Sequence, residues 1–166
     1  MRRGRMRRWL CFWLLLCVGC LMLGCGGAAP VPRALLGALP ACDASDGAFF
    51  DSTAACWDRE YLDSATLAAF FGVGEQELPA VSESALWLSA RPDRVAEAAV
   101  FLCPDYDTAQ RVAQLCFGRI SLLRRLHGED GVPGLTDPVV SLRGRYVIYL
   151  VLPDNRAAEG QIGRCF

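Results

Sequence analysis

The sequence contains few of the side chains on which enzyme active sites most often depend. Its 166 residues include one histidine and no lysine, because all 17 basic residues are arginines. The lack of lysine reflects genome composition rather than function. None of the motifs of serine hydrolases, zinc proteases, P-loop proteins or dinucleotide-binding proteins occurs. His127 follows Arg124 and Arg125, so we interpret it as part of the basic end of a helix and predict no catalytic residue.

Positive charge is also scarce outside the first eight residues, which hold five of the arginines. The 142 residues from Cys25 onward contain twelve arginines and all 18 acids, a formal charge of −6. Such a balance lacks the basic surface that nucleic acids require. We therefore predict no nucleic-acid partner, and the sequence shows no motif for a cofactor.

Acidic residues are concentrated between positions 43 and 63, but their spacing does not match a calcium-binding loop. We therefore predict no metal and favour a solvated surface, with a catalytic carboxylate pair as the alternative. The acids in question are Asp43, Asp46, Asp51, Asp58, Glu60 and Asp63.

Charge is absent from the fifteen residues Trp9 to Leu23, which follow the basic segment. A basic segment before an apolar run of this length is typical of a secretory signal. A bilayer-spanning helix needs roughly 20 apolar residues, so the run is short for a permanent span. Arg7-Arg8 lacks the rest of a twin-arginine motif, so we favour the general secretory route.

The stretch Met22-Leu23-Gly24-Cys25 resembles the lipobox of bacterial lipoproteins. The resemblance implies cleavage after Gly24 and a diacylglyceryl group on the sulfur of Cys25, which anchors the chain to the extracytoplasmic face of the cell membrane. Two acyl chains hold a protein on a membrane where one binds only weakly. Leu16 to Cys20 is a poorer candidate. The alternatives are an ordinary cleaved signal, an uncleaved anchor and a buried helix.

Three segments follow from this reading: a signal peptide over residues 1–24, a flexible tether over 25–42, and a single domain over 43–166. The tether prediction depends on low complexity, since residues 26–41 are mostly Ala, Gly, Pro and Leu. Beyond Cys25 there are five cysteines, namely Cys42, Cys56, Cys103, Cys116 and Cys165. Cys103 and Cys116 lie at apolar positions and are interpreted as core residues, and a Cys42–Cys56 disulfide is one alternative for the others.

Hydrophobic periodicity predicts an α+β domain with about four strands in a mixed or antiparallel sheet packed against amphipathic helices. Ser64 is the predicted cap of the second helix and Gly72 its end. Asp107 is the predicted cap of the long helix, and Gly128 its end. Turns are predicted at Pro92 and Gly144. The predicted elements, in the order ααββαββα, are helices near 47–56 and 65–71, strands 81–89 and 95–102, helix 108–127, strands 139–142 and 146–152, and a helix from Asp154 or Asn155 to Phe166.

Two further observations leave alternatives open. Glu97 lies in an apolar strand, where it is either buried and paired or turned outward. Five aromatic residues either line a sugar- or peptide-binding groove or, as we favour, belong to the core. They are Trp57, Trp87, Tyr106, Tyr146 and Tyr149.

Four features in order resemble domain-of-unknown-function family 4358 of small bacterial lipoproteins. These are Phe71-Gly72-Val73, the strand segment Glu97 to Phe101, the helix 108–127, and the segment Gly144 to Val147, all behind a lipobox. The resemblance covers about residues 60–166 and implies a location and a fold, without an established activity. Proteins of that family in turn resemble accessory components of systems that acylate envelope polymers.

Three functions are compatible with the sequence. We favour a non-enzymatic, membrane-tethered module that binds an envelope protein or polymer. The second is a hydrolase or transferase that modifies envelope polymers through the acids of residues 43–63, and the third is a small-ligand-binding lipoprotein.

Overall fold

The computed structural model describes residues 29–91, 95–128 and 132–166. It confirms the predicted α+β class. Along the chain, the helices and strands are α1 (Pro32–Gly37), β1 (Gly47–Asp51), α2 (Ser64–Phe71), β2 (Glu83–Ser89), β3 (Glu97–Leu102), α3 (Tyr106–His127), α4 (Pro133–Thr136), β4 (Val139–Arg143), β5 (Tyr146–Val151) and α5 (Asn155–Gly163), with a 3₁₀ turn at Glu75–Glu77.

The sheet has five strands rather than four, in the order β1-β2-β3-β5-β4, and every neighbouring pair is antiparallel. The additional strand is β1, so the prediction of a helix near 47–56 was wrong. Gly47 to Asp51 pair with Ala85 to Ser89. Phe49 and Phe50 consequently point to opposite faces of the sheet and enter different hydrophobic clusters. Pairing with β2 outweighs the weak helical preference of the segment.

Helices cover both faces of the sheet. On one face α2 and α3 pack on β3 and β5 through Phe71, Val112, Cys116 and Ile120. On the other face α1, the turn that follows it and α5 pack through Leu36, Leu39 and Ile162. Strand β5, apolar at every position, is buried along its whole length between β3 and β4, as predicted for a strand covered on both faces.

The segment predicted as a tether is part of the domain from Pro32 onward, which corrects the predicted boundary at residue 43. Leu35, Leu36 and Leu39 are at most 2% exposed. The carbonyl of Pro30 also accepts a hydrogen bond of 2.9 Å from the hydroxyl of Tyr146. The low-complexity segment therefore contains a short apolar helix, whose side chains pack on one face of the sheet.

The helix ends confirm two predicted stops and correct two predicted caps. Gly72 has φ 72° and ends α2, while Gly128 has φ 76° and ends α3. The N-caps are Asp63 and Asp105 rather than Ser64 and Asp107, because these two carboxylates accept backbone hydrogen bonds from Thr66 and Thr108. The two-residue turn after β4 contains Gly144 at φ 60°, as predicted, and Asp154 caps α5.

Some predicted features lie outside the described residues, namely the signal peptide, Gly24 and Cys25, and the turn at Pro92. Among the residues that are described, no helix has both the length and the apolar character needed to cross a bilayer.

Candidate functional site

A buried polar cluster joins the sheet to α3. Its centre is Glu97 at the start of β3, which is 4% exposed. Arg119 donates from Nε and Nη2 to the two carboxylate oxygens at 3.0 and 2.6 Å, and the hydroxyl of Tyr149 donates to Oε2 at 3.0 Å. The guanidinium also lies 4.7 Å from the ring centroid of Phe70. This settles the alternative for Glu97, which is buried and paired.

The electrostatics of the cluster follow from its burial. Burial alone would lower the pKa of Arg119, but the hydrogen bonds and negative charge of Glu97 outweigh it, so the pKa of the guanidinium lies above its ordinary value. Burial, followed by the charge of Glu97, raises the pKa of Tyr149. Both Arg119 and Tyr149 therefore keep their protons at neutral pH and donate hydrogen bonds to Glu97.

Three cysteines are buried and protonated. Burial raises the pKa of Cys42 to about 12, and burial with the nearby charge of Asp105 raises the pKa of Cys103 to about 11. Cys116, fully buried beside the polar cluster, has a pKa raised chiefly by burial. A thiol is nucleophilic only as the thiolate, so none of these three can act as a nucleophile near pH 7. Cys103 and Cys116 are core residues, as predicted.

The five cysteines in the part of the chain that the structure describes do not pair. Cys42 is buried while Cys56 is exposed, and both are free thiols. The alternative of a Cys42–Cys56 disulfide is therefore wrong.

The acidic residues between 43 and 63 are used locally in turns rather than gathered at one point. Asp43, Asp51 and Asp58 each accept a hydrogen bond from the backbone nitrogen two residues ahead, at 2.7, 2.8 and 3.1 Å. Asp63 caps α2, and Glu60 lies 3.8 Å from Arg33. Within the ranges that the structure describes, no three His, Cys, Asp or Glu side chains are grouped as a metal site would require. Four of these carboxylates, those of Asp43, Asp51, Asp58 and Asp63, thus cap turns or a helix.

The aromatic residues separate instead of forming one groove. Trp87 and Tyr146 lie on the face covered by α1 and α5, and Tyr149 lies on the face covered by α2 and α3. Trp57 and Tyr106 are 87% and 54% exposed. The favoured interpretation as core holds for three of the five. His127 is exposed at the end of α3 beside Arg124 and Arg125.

In the part of the chain that the structure describes, surface cavities flank the face of the sheet that α1 and α5 cover. The first, of about 480 Å³, lies beside α1, where Arg33 stacks 3.5 Å above the ring of Phe49. The second, of about 540 Å³, lies between β4 and α5. It is lined by Asp137, Val139, Arg143, Arg156, Glu159 and Gly160.

Asn155, which is 5% exposed, lies beside the second cavity and binds the backbone of its lining residue Asp137. Its amide nitrogen donates to the carbonyls of Gly134 and Asp137, and its oxygen accepts from the nitrogen of Leu152. The sequence indicated Asn155 only as one of two possible helix starts. These bonds fix where β4 begins, so β4 forms a well-defined outer edge of the sheet.

Comparison with models of known protein families, with curated proteins and with solved structures finds no match to this chain. The function must therefore be argued from the geometry.

Proposed function

We propose that this chain is an extracytoplasmic lipoprotein, anchored through Cys25, that acts as a non-enzymatic binding module of the cell envelope. The proposal includes cleavage after Gly24, membership of domain-of-unknown-function family 4358, and an envelope protein or polymer as the partner. The observation that carries it is the short distance between the lipobox and the folded domain.

That distance follows from the hydrogen bond between Tyr146 and Pro30. Pro30 lies only five positions after Cys25, with four residues between them. At roughly 3.3–3.6 Å per residue, five residues span at most about 18 Å. A diacylated Cys25 would hold the domain directly on the membrane surface, which is the position expected for a module that recruits or positions an envelope component.

The buried chemistry also favours binding over catalysis. The carboxylate of Glu97 is occupied by Arg119 and Tyr149, and those of Asp43, Asp51 and Asp58 cap local turns. These side chains perform structural work in the folded domain, so the observations favour neither of the other two functions.

The anchor is tested by metabolic labelling of a bacterial host with a fatty-acid probe. We expect the wild-type chain to be labelled and to sediment with membranes, and Cys25→Ala to lose the label. Cys20→Ala is the matched control, because it removes the poorer candidate cysteine and should leave the label unchanged. Labelling that survives Cys25→Ala would refute the anchor.

The absence of catalysis by the acids is tested separately in a deletion strain. Asp51→Asn and Asp58→Asn should restore the wild-type phenotype as fully as the unaltered gene does, since the amide oxygen can still accept the capping hydrogen bond. Loss of complementation by either variant at normal protein abundance would instead support an enzyme.

A further inference from the structure

Strand β4 has one side paired with β5 and the other side open. Arg143 pairs with Tyr146 across the two-residue turn, which makes this pair hydrogen-bonded. The bonds then alternate, so the backbone groups of Val140 and Leu142 point away from β5 to the outer edge. Among the described residues, the backbone hydrogen bonds outside regular elements include none from these two residues.

The opposite edge of the sheet is covered at the end of β1. The backbone of Asp51 in β1 donates to Glu60 and accepts from Leu62, and it forms a bridge with Tyr61. An unprotected strand edge is a template for pairing with another strand. Strand β4 offers such an edge at both of its outward-facing residues, Val140 and Leu142.

Ser141, at the centre of β4, carries a second observation. Its hydroxyl is buried and has no hydrogen-bond partner within the described part of the chain. Buried hydroxyls in folded proteins nearly always have a partner. A rotation about χ1, which moves a serine hydroxyl between staggered positions, would turn this one toward the open edge.

We propose that β4 pairs antiparallel with β4 of a second copy, about a two-fold axis through Ser141, to give a continuous ten-stranded sheet. Val140 then lies opposite Leu142 of the second copy, and the two residues exchange backbone hydrogen bonds. Ser141 lies opposite Ser141 of the second copy in a non-hydrogen-bonded pair, where the Cα atoms are about 4.5 Å apart. Each orphaned hydroxyl finds its partner in the other.

The charges that flank the strand select this direction of pairing. Asp137 precedes β4, Arg143 is its last residue, and Arg145 follows it. Antiparallel pairing places Asp137 of each copy opposite Arg145 of the other, whereas parallel pairing would bring like charges together. Asp137 keeps a side chain that is 60% exposed although it already pairs with Arg156.

The pairing is closed and compatible with one membrane. Because the two-fold contact uses the same β4 edge in both copies, it leaves no β4 edge for a third copy, which gives a dimer rather than a fibre. A two-fold axis perpendicular to the sheet keeps α1 and α5 of both copies on one side. Both Pro30 residues therefore lie on that side, and two anchors at Cys25 would reach the same bilayer; this last point alone rests on the proposed function.

The test uses the full chain purified from membranes in detergent, with its mass measured by sedimentation equilibrium. We expect a dimer, and we expect Leu142→Pro to weaken it at least a hundredfold by removing the outward N–H. Leu142→Ala is the matched control, because it removes the same side-chain packing and keeps the N–H. It should dimerise within about tenfold of the wild type.

Ser141→Ala distinguishes the hydroxyl pair from simple packing. We expect a dissociation constant several-fold higher with an unchanged or higher thermal midpoint, because the substitution also removes an unsatisfied group. A monomer at 100 µM, or a dimer unaffected by Leu142→Pro, would overturn the proposal.

The identity of the occupant is tested in cells with a photocrosslinking amino acid at position 143, which ends the edge and is exposed. A product of twice the chain mass supports self-pairing. A product of any other mass would show that a different strand occupies the edge and would overturn the second copy as partner.

Discussion

Arg119 occupies a position in α3 where helical spacing calls for an apolar side chain. It lies three residues after Cys116 and four before Leu123, both of which are buried. Its charge is neutralised by Glu97, and its guanidinium lies over the ring of Phe70. A buried ion pair is weak evidence for stability, because desolvation offsets the attraction. Its effect here is to fix how α3 sits on β3 and β5.

Removal of one partner should therefore cost more than removal of both. Arg119→Met leaves the carboxylate of Glu97 buried and uncompensated, and we expect the free energy of unfolding to fall by about 3–5 kcal/mol. The double variant with Glu97→Gln should recover part of that loss. Urea unfolding monitored by circular dichroism measures the free energy of unfolding of the wild type and both variants. A loss below about 1 kcal/mol for Arg119→Met would contradict the prediction.

The elements show which local signals decide structure and which do not. Helix α3 and the β4–β5 hairpin were predictable because a long apolar stripe, capping residues and a turn glycine agree with one another. Strand β1 was not, because GAFFD lacks β-branched residues and is set by its partner. A Cβ on Gly47 would lie 2.5 Å from the carbonyl oxygen of Leu88, so only pairing explains that glycine.

The site was predictable in part. Glu97 shares its face of β3 with Ala99 and Phe101, which marked it as inward-facing once the strand was known. Arg119 was missed, although its spacing from Cys116 and Leu123 placed it on the same stripe. The open edge could not be predicted, because strand order depends on pairings distant in sequence, such as β3 with β5.

Two glycine-to-alanine substitutions should change the stability of the domain in opposite directions. Gly72 has φ 72°, and a methyl group added there would have only Leu122 nearby, at 3.9 Å, so Gly72→Ala should cost roughly 1–2 kcal/mol of backbone strain. Gly118 lies exposed inside α3 with nothing within 4 Å. Gly118→Ala should stabilise by roughly 0.5–1 kcal/mol. The thermal midpoints of the two variants measure these effects. Midpoints that shift in the same direction for Gly72→Ala and Gly118→Ala would contradict the prediction.

Helix α1 belongs to the domain, so its buried face should contribute to stability. Leu36→Ala should lower the free energy of unfolding by about 2–5 kcal/mol, because the side chain is fully buried against the sheet. Ala34→Gln, on the exposed side of the same helix, should change it by less than about 0.5 kcal/mol. If α1 were instead a tether, denaturant unfolding would show no difference between the two variants.

At the scale of the whole molecule, the buried thiols make stability depend on pH. The unfolded thiols ionise near pH 9, whereas Cys103 and Cys42 in the folded chain ionise near 11 and 12. The unfolded state therefore loses protons first. Stability should be unaffected by these groups below pH 9 and should fall as pH rises from 9 toward 12.

Urea midpoints at pH 8, 9, 10 and 11 measure this loss. Cys42→Ala removes one of the titrating groups, so its midpoint should fall less steeply over the same range. Equal slopes for the variant and the wild type would show that the thiol of Cys42 does not contribute.

The order of strands also sets the order in which the domain can assemble. Strand β3 is central, yet its second neighbour, β5, begins 44 residues after β3 ends. A chain made from its amino end can fold the β1-β2-β3 meander early. The edge of β3 that pairs with β5 then stays unpaired and prone to aggregation. It is paired only after nearly all of the polypeptide has been synthesised and the β4–β5 hairpin has joined the sheet.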